Sequence, residues 1–310
     1  MPFADLHCDT VHRLRYGSLK GDLCRNDGHV DLQRLIGAGY TLQVLAAFVE
    51  LKAARDPLAS CLQLLDDLEA QTRTYGELVS VVRTGSDLQK EGLKALLSVE
   101  EGGVIGGEEA CLDLLIQRGV RAVTLTWNYP NSLGFPNHEF THADQGLTPF
   151  GRRMTEKLAA EGVAADVSHL SDRGFWEVAD IVRGPFMASH SNARSVHPHS
   201  RNLTDEQIRR VAEQGGVIGL NFCSWFVDGG GHTSLAGLLR HFDHIHQVGG
   251  SEVLALGSDF DGIDNTVEIG GCEGMPMLEA ALLEKGYGRD TVDKALYRNA
   301  LRFFKDVLKD

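Results

Sequence analysis

Val217-Ile218-Gly219-Leu220 is an unbroken apolar run, without the polar alternation of a strand that faces water on one side. Runs of this kind are what a parallel sheet covered on both faces requires. Seven others of strand length, bounded by turn residues, recur at fairly regular intervals. The strands are therefore expected within residues 3–9, 41–50, 95–100, 120–128, 163–170, 185–191, 216–222 and 253–259. Between them the spacing turns helical, as in Leu58, Leu62, Leu65 and Leu68, or Leu147, Met154 and Leu158 stopped by Gly162. Eight strand–helix units predict an α/β fold, a TIM-type (β/α)8 barrel, with an open doubly wound sheet as the structural alternative. No Pro/Ser-rich linker or shift in composition divides the chain. Residues 1–310 thus read as one domain, with 287–308 as a closing helical segment and 129–146 as a longer loop over the open face.

Composition narrows the function. Of 310 residues, 43% are hydrophobic and 24% charged, and the mean hydropathy is −0.15, as expected of a packed, water-soluble core. The 30 Lys and Arg against 43 Asp and Glu give a net charge of −13. With no basic run to focus a positive field, nucleic acid is excluded as a partner. No stretch approaches the roughly 18 apolar residues of a membrane span, and the N-terminus lacks the features of a secretion signal, so a cytoplasmic location is expected. Six scattered cysteines, without C-x-x-C pairs, suit neither a disulfide framework nor a zinc ribbon; most read as small buried hydrophobes. The sequon Asn202-Leu203-Thr204 is then a chance match. Glycine is in excess, 35 residues, and its doublets, such as Gly102-Gly103 and Gly249-Gly250, fall in the connections.

In a barrel of this type the reactive groups stand at the C-terminal ends of the strands. Those ends carry His7-Cys8-Asp9, Glu100-Glu101, Trp127-Asn128, Asp166-Val167-Ser168-His169, Ser189-His190-Ser191 and Ser258-Asp259-Phe260-Asp261. A strand's period of two puts His7 and Asp9 on one face and Cys8 on the other, and separates Glu100 from Glu101 in the same way. Three His, two Asp and at least one Glu suffice for two divalent ions sharing a carboxylate. The competing signal is His138-Glu139-Phe140-Thr141-His142, an H-E-x-x-H match. It needs a helix to bring its imidazoles together, and its Asn- and Gly-rich flanks do not support one. His197 and His199 flank Pro198 and read as structural or exposed. His241, His244 and His246 read as helix residues with solvated or core roles.

Taken together, these stretches resemble the renal-type (membrane) dipeptidase family of zinc peptidases. The resemblance runs through Asp5-Leu6-His7-Cys8-Asp9-Thr10, Ser98-Val99-Glu100-Glu101-Gly102-Gly103, Leu125-Thr126-Trp127-Asn128, Asp166-Val167-Ser168-His169, Ser189-His190-Ser191-Asn192-Ala193, Ser200-Arg201-Asn202 and Gly257-Ser258-Asp259-Phe260-Asp261-Gly262. It implies two divalent ions, zinc by expectation: His7 and Asp9 on one, His169 and His190 on the other, and Glu100 bridging. It also implies that Arg201 holds the substrate's C-terminal carboxylate and that Asp259 is the acid/base; Asp261, two residues on, reads as structural or as a support behind the reacting groups. Animal members carry a histidine where this chain has Trp127, and that histidine contacts the scissile carbonyl; either Asn128 or a water substitutes, or the substrate preference differs. The family further implies a dipeptide substrate, including dipeptides with a C-terminal D-residue, and a homodimer.

The implied chemistry is attack on the peptide carbonyl by a water that two divalent ions share and acidify. Two rivals stand beside it. One is a hydrolase of N-acyl amino acids, cyclic amides or lactones on the same barrel; the other is a non-catalytic barrel that binds peptide or metal.

Overall fold

The computed structural model describes residues 2–310. Its strands are β1 (Phe3–Asp5), β2 (Tyr40–Phe48), β3 (Val79–Val82), β4 (Leu93–Glu100), β5 (Val120–Thr124), β6 (Ala164–Asp166), β7 (Met187–Ala188), β8 (Val217–Leu220), β9 (His232–Thr233), β10 (Leu254–Leu256) and β11 (Thr266–Val267). The order β2-β1-β10-β8-β7-β6-β5-β4 is closed by pairing of β2 with β4, giving a ring of eight parallel strands. The (β/α)8 expectation therefore holds, and the open doubly wound sheet does not. The sequence reading missed β3. It pairs with the first half of β4, Val79 opposite Leu93 through Val82 opposite Leu96, whereas β5 takes the second half, Leu97 to Glu100. One long strand thus serves two neighbours on the same side. β9 and β11 form a separate small sheet.

Each of the eight expected runs overlaps a barrel strand, although β2 and β4 begin before their runs at Tyr40 and Leu93, and several regular ladders stop early. Buried carboxylates explain part of this. Asp5 Oδ1 accepts hydrogen bonds from the backbone N–H groups of His7 and Ser258, and Asp166 Oδ1 accepts from those of Ser168 and Ser189. A side chain takes the amide hydrogens that a neighbouring strand would otherwise take, so the chain leaves the sheet without orphaned donors.

Apolar side chains pack in two layers. Inside the ring lie Ala4, Leu6, Leu42, Val44, Leu96, Ala122, Ala164, Met187, Val217 and Ala255, with Phe303, Phe304 and Leu308 from the C-terminal segment. A second, larger layer fills the space between the ring and its helices. The closing segment runs as Arg289–Asp293, a π-helical turn Lys294–Arg298, and the helix Asn299–Val307. Asn299 Nδ2 fastens it by donating to the carbonyls of Ser251 and Leu254. The surrounding helices start where the sequence supplies caps, with side-chain oxygens of Asp56, Thr148, Ser171, Thr204 and Ser234 accepting from the first turn. Cys8, Cys61, Cys223 and Cys272 are buried, Cys24 and Cys111 are partly so, and all six are unpaired. No described helix is long and apolar enough to cross a membrane.

Candidate active site

The strand ends converge as the spacing predicts. Glu100, the last residue of β4, has its two oxygens turned to different imidazoles: Oε2 is 3.2 Å from His7 Nε2 and Oε1 is 3.2 Å from His169 Nε2. His190 Nε2 lies 3.5 Å from Oε1, and Asp9 Oδ2 lies 3.3 Å from His7 Nε2. Asp259 joins them, and its ligand atom falls within 4.8 Å of those of His7 and Asp9. Cys8 points away as expected, its thiol toward the Val44 carbonyl. Glu101 also faces outward, accepting from the backbone of Gly103 and Trp127 and from Asn131 Nδ2. Asp261 is structural, as expected, accepting from Thr10 Oγ1 at 2.6 Å and from His29 N at 2.7 Å.

The hydrogen bonds around the histidines fix their tautomers. Asp166 Oδ2 receives the hydroxyls of Thr124 and Ser189. Ser189 Oγ is therefore left as the acceptor for His190 Nδ1–H at 2.7 Å. His169 Nδ1 lies 3.2 Å from Asn128 Oδ1 and donates to it. Both imidazoles then present a bare Nε2 lone pair, and those two nitrogens are only 3.0 Å apart. Burial holds both groups well below the ordinary imidazole pKa, with the charges of Arg201 and His7 adding to the effect. Asp9 Oδ1 is buried without a partner. Lone pairs facing lone pairs beside an orphaned carboxylate oxygen are repulsive on their own and favourable around cations. The donor set thus fits divalent metal, with imidazole and carboxylate as ligands.

Backbone strain accompanies the placement. Glu101, His169, Asp259 and Asp261 adopt φ between 61 and 81°, a region that non-glycine residues seldom occupy and that clusters at functional sites. Gly262 is needed for a different reason: a Cβ there would lie 2.2 Å from Asp9 Oδ2 and 2.5 Å from Asp259 Oδ1.

Asp9, Glu100, His169 and Asp259 floor a cleft of about 430 Å³. Burial pushes the Asp259 carboxyl up to about 6, aided by the charge of Asp9, while Asn221 Nδ2 donates to its Oδ2 at 3.0 Å. Arg201 is buried, donates from Nη2 to the His190 carbonyl at 3.3 Å, and lies over the Phe226 ring. Its Nε has no partner. Trp127 lines the cleft and meets Phe48 edge-on at 5.0 Å. Asn128 lines it too, with its Oδ1 directed at His169.

The loop residues agree with the sequence reading in part. His138–Phe140 is a single 3-10 turn with left-handed φ at Glu139 and Phe140, so the H-E-x-x-H match forms no zinc-binding helix. Even so, His138 and Glu139 line the cleft. His199, expected to be structural or exposed, does both jobs: its Nδ1 accepts from Arg201 N at 3.1 Å, and its ring reaches the cleft, where burial and the charge of Arg201 lower its pKa to about 4. Trp225, Phe226, Ile263 and Asp264 complete the walls. No local periodicity marks them, because loop positions follow from how the strands are joined.

Comparison with known proteins agrees with this geometry. A 225-residue stretch, 69% of this chain and 82% of the relative, is 36% identical to a Klebsiella pneumoniae protein known only as an uncharacterized protein in the pqqA 5′ region. A crystal structure of the dipeptidase AC, a metallopeptidase of family M19, superposes over 100% of this chain and 99% of its own, with a TM-score of 0.91 and 28% identity. A metallopeptidase from Rhodobacter sphaeroides, liganded with a phosphinate mimic of the dipeptide L-Ala-D-Ala, matches over 99% of both chains with a TM-score of 0.89 and 26% identity. The family model for membrane dipeptidase, peptidase family M19, matches residues 1–309. With that match spanning the barrel and every strand end that builds the cleft, the chain belongs to the membrane dipeptidase family of metallopeptidases.

Proposed function

We propose that this chain is a single catalytic unit that hydrolyses dipeptides with two zinc ions, including dipeptides whose C-terminal residue has the D configuration. His7 and Asp9 would hold one ion, His169 and His190 the other, and Glu100 both. The observation that carries the reading is the disposition of Glu100, whose two oxygens each stand 3.2 Å from an imidazole on a different strand end. Metal held by these residues would supply a water acidified toward pKa ~7 and polarisation of the scissile carbonyl.

The chain's own groups do the rest. Asp259, buried and raised to about 6, is close enough to neutrality to accept the attacking water's proton and return it to the departing amine. Arg201 offers a planar fork to the substrate's C-terminal carboxylate, and its phenyl backing and buried surroundings strengthen that pair. A free carboxylate required one residue beyond the scissile bond selects dipeptides over longer peptides. Trp127 and Asn128 wall the carbonyl's side of the cleft. The phosphinate mimic of L-Ala-D-Ala in the Rhodobacter sphaeroides relative supports both the substrate class and the D-residue.

The test is a panel of L,L- and L,D-dipeptides, tripeptides and N-acyl amino acids assayed with zinc and with manganese, beside metal analysis. The expected outcome is near two ions per chain and cleavage confined to dipeptides. A preference for N-acyl amino acids would replace the reading. Arg201→Lys should raise KM for dipeptides about tenfold or more, because a point charge does not replace a fork; an unchanged KM would place the carboxylate elsewhere.

A further inference from the structure

Two arginines reach the cleft, and the proposed mechanism uses only Arg201. Arg201 follows β7, whereas Arg13 lies on the helix Thr10–Arg15 between β1 and β2. That helix follows β1, three strands along the ring from β7. The two guanidinium groups therefore enter the cleft from different walls. A dipeptide whose C-terminal carboxylate meets Arg201 extends its N-terminal residue toward the wall built by His12, Arg13, Phe48 and Asp264.

Arg13 has unspent hydrogen-bonding capacity there. Its side chain has one charged contact among the described residues, Nη1 to Asp264 Oδ1 at 3.3 Å, which leaves Nη2 without a charged partner among them. Asp264 is a weak competitor: its side chain is 90% exposed, and water screens an exposed pair of this kind. The neighbouring Asp261 carboxylate is already occupied by Thr10 and His29. His12 Nδ1 is bonded to the Phe48 carbonyl, which holds the helix against β2. An anionic group that arrives beside Arg13 can displace Asp264 and accept two hydrogen bonds from the fork.

We propose that Arg13 sets specificity for an acidic side chain on the N-terminal residue, making dipeptides that begin with Glu or Asp the favoured substrates. This rests on the dipeptidase reading and on the role of Arg201. The test compares kcat/KM of the metal-loaded enzyme for L-Glu-L-Ala, its near-isostere L-Gln-L-Ala, L-Lys-L-Ala and L-Ala-L-Ala. The expected result is a preference for Glu over Gln of about tenfold or more, the scale of one charge-assisted pair. Arg13→Gln should bring that ratio close to one, and Asp264→Asn should raise it by removing the competitor. Equal rates for Glu and Gln in the native enzyme, an undiminished ratio in Arg13→Gln, or a preference for Lys that depends on Asp264 would overturn the proposal. Failure to cleave any of the four, L-Ala-L-Ala included, would instead strike the dipeptidase reading, and this one with it.

Discussion

The two ends of the barrel are built on opposite terms. At the C-terminal end the chain gathers His7, Asp9, Glu100, His169, His190 and Asp259 in a buried cluster and holds three of the surrounding turns, at His169, Asp259 and Asp261, in left-handed conformations. At the N-terminal end Phe303 and Phe304 enter a ring of mostly Ala, Leu and Val side chains, where the buried Lys94 is satisfied by the carbonyls of Lys90 and Gly92. The first arrangement is costly unless cations are present; the second is favourable by burial alone. Activity should therefore reside at one end and stability mostly at the other, and four measurements probe that division.

The largest effect is expected from Asp259→Asn. Turnover should fall about 10²–10⁴-fold, while metal content and melting temperature stay near native; near-native turnover would remove Asp259 as the acid/base. Next comes Phe303→Ala at the opposite end. Emptying that position should cost about 3–5 kcal/mol in denaturant unfolding, with kcat of the protein that remains folded little changed. A fall in kcat as large as that of Asp259→Asn would mean the ends are not separable.

Smaller effects test the supports beneath the cleft. Ser189→Ala takes the acceptor from His190 Nδ1 and should weaken metal binding about 10–100-fold in chelator competition, with activity recovered at saturating metal. His241 links loops at the open end, accepting from Ala193 N at Nδ1 and donating from Nε2 to the Val227 carbonyl. Burial lowers its pKa to about 4, from an ordinary value of 6.5. Between those values the unfolded chain binds a proton that the folded chain refuses. The stability contributed by His241 is complete above pH 6.5 and is lost as pH falls toward 4. Urea midpoints across pH 7.5 to 4.5 should drop less steeply in His241→Gln than in the native chain. Equal slopes would place the acid sensitivity elsewhere.

The fold was legible because a parallel sheet covered on both faces writes itself as apolar runs such as Val217-Ile218-Gly219-Leu220, and the residues after each run announced the cluster. Parity separated His7 and Asp9 from Cys8, and Glu100 from Glu101, although His7 and Asp9 lie beyond the regular ladder of β1. The strand limits were not legible, since they depend on Asp5 and Asp166 capturing amides from other turns. Nor was β3, a short edge segment that exists because β4 is long enough to pair twice on one side. The cleft roles of His138, His199, Trp225 and Asp264 arise from the paths of connecting loops, which carry no periodic signature.

The plug of Phe303 and Phe304 also has a consequence in time. β1 pairs with β10, some 250 residues further on, at Asp5 and Leu256, and the interior of the ring is filled from residues 299–307. During synthesis, a nascent chain with β1 through β8 in place still has an open seam and a hollow, greasy lumen. Closure waits on long-range contacts whose loop entropy must be met before they repay it. Folding of this barrel should therefore finish late, and chains halted before Asn299 should be the ones that chaperones hold or that aggregate.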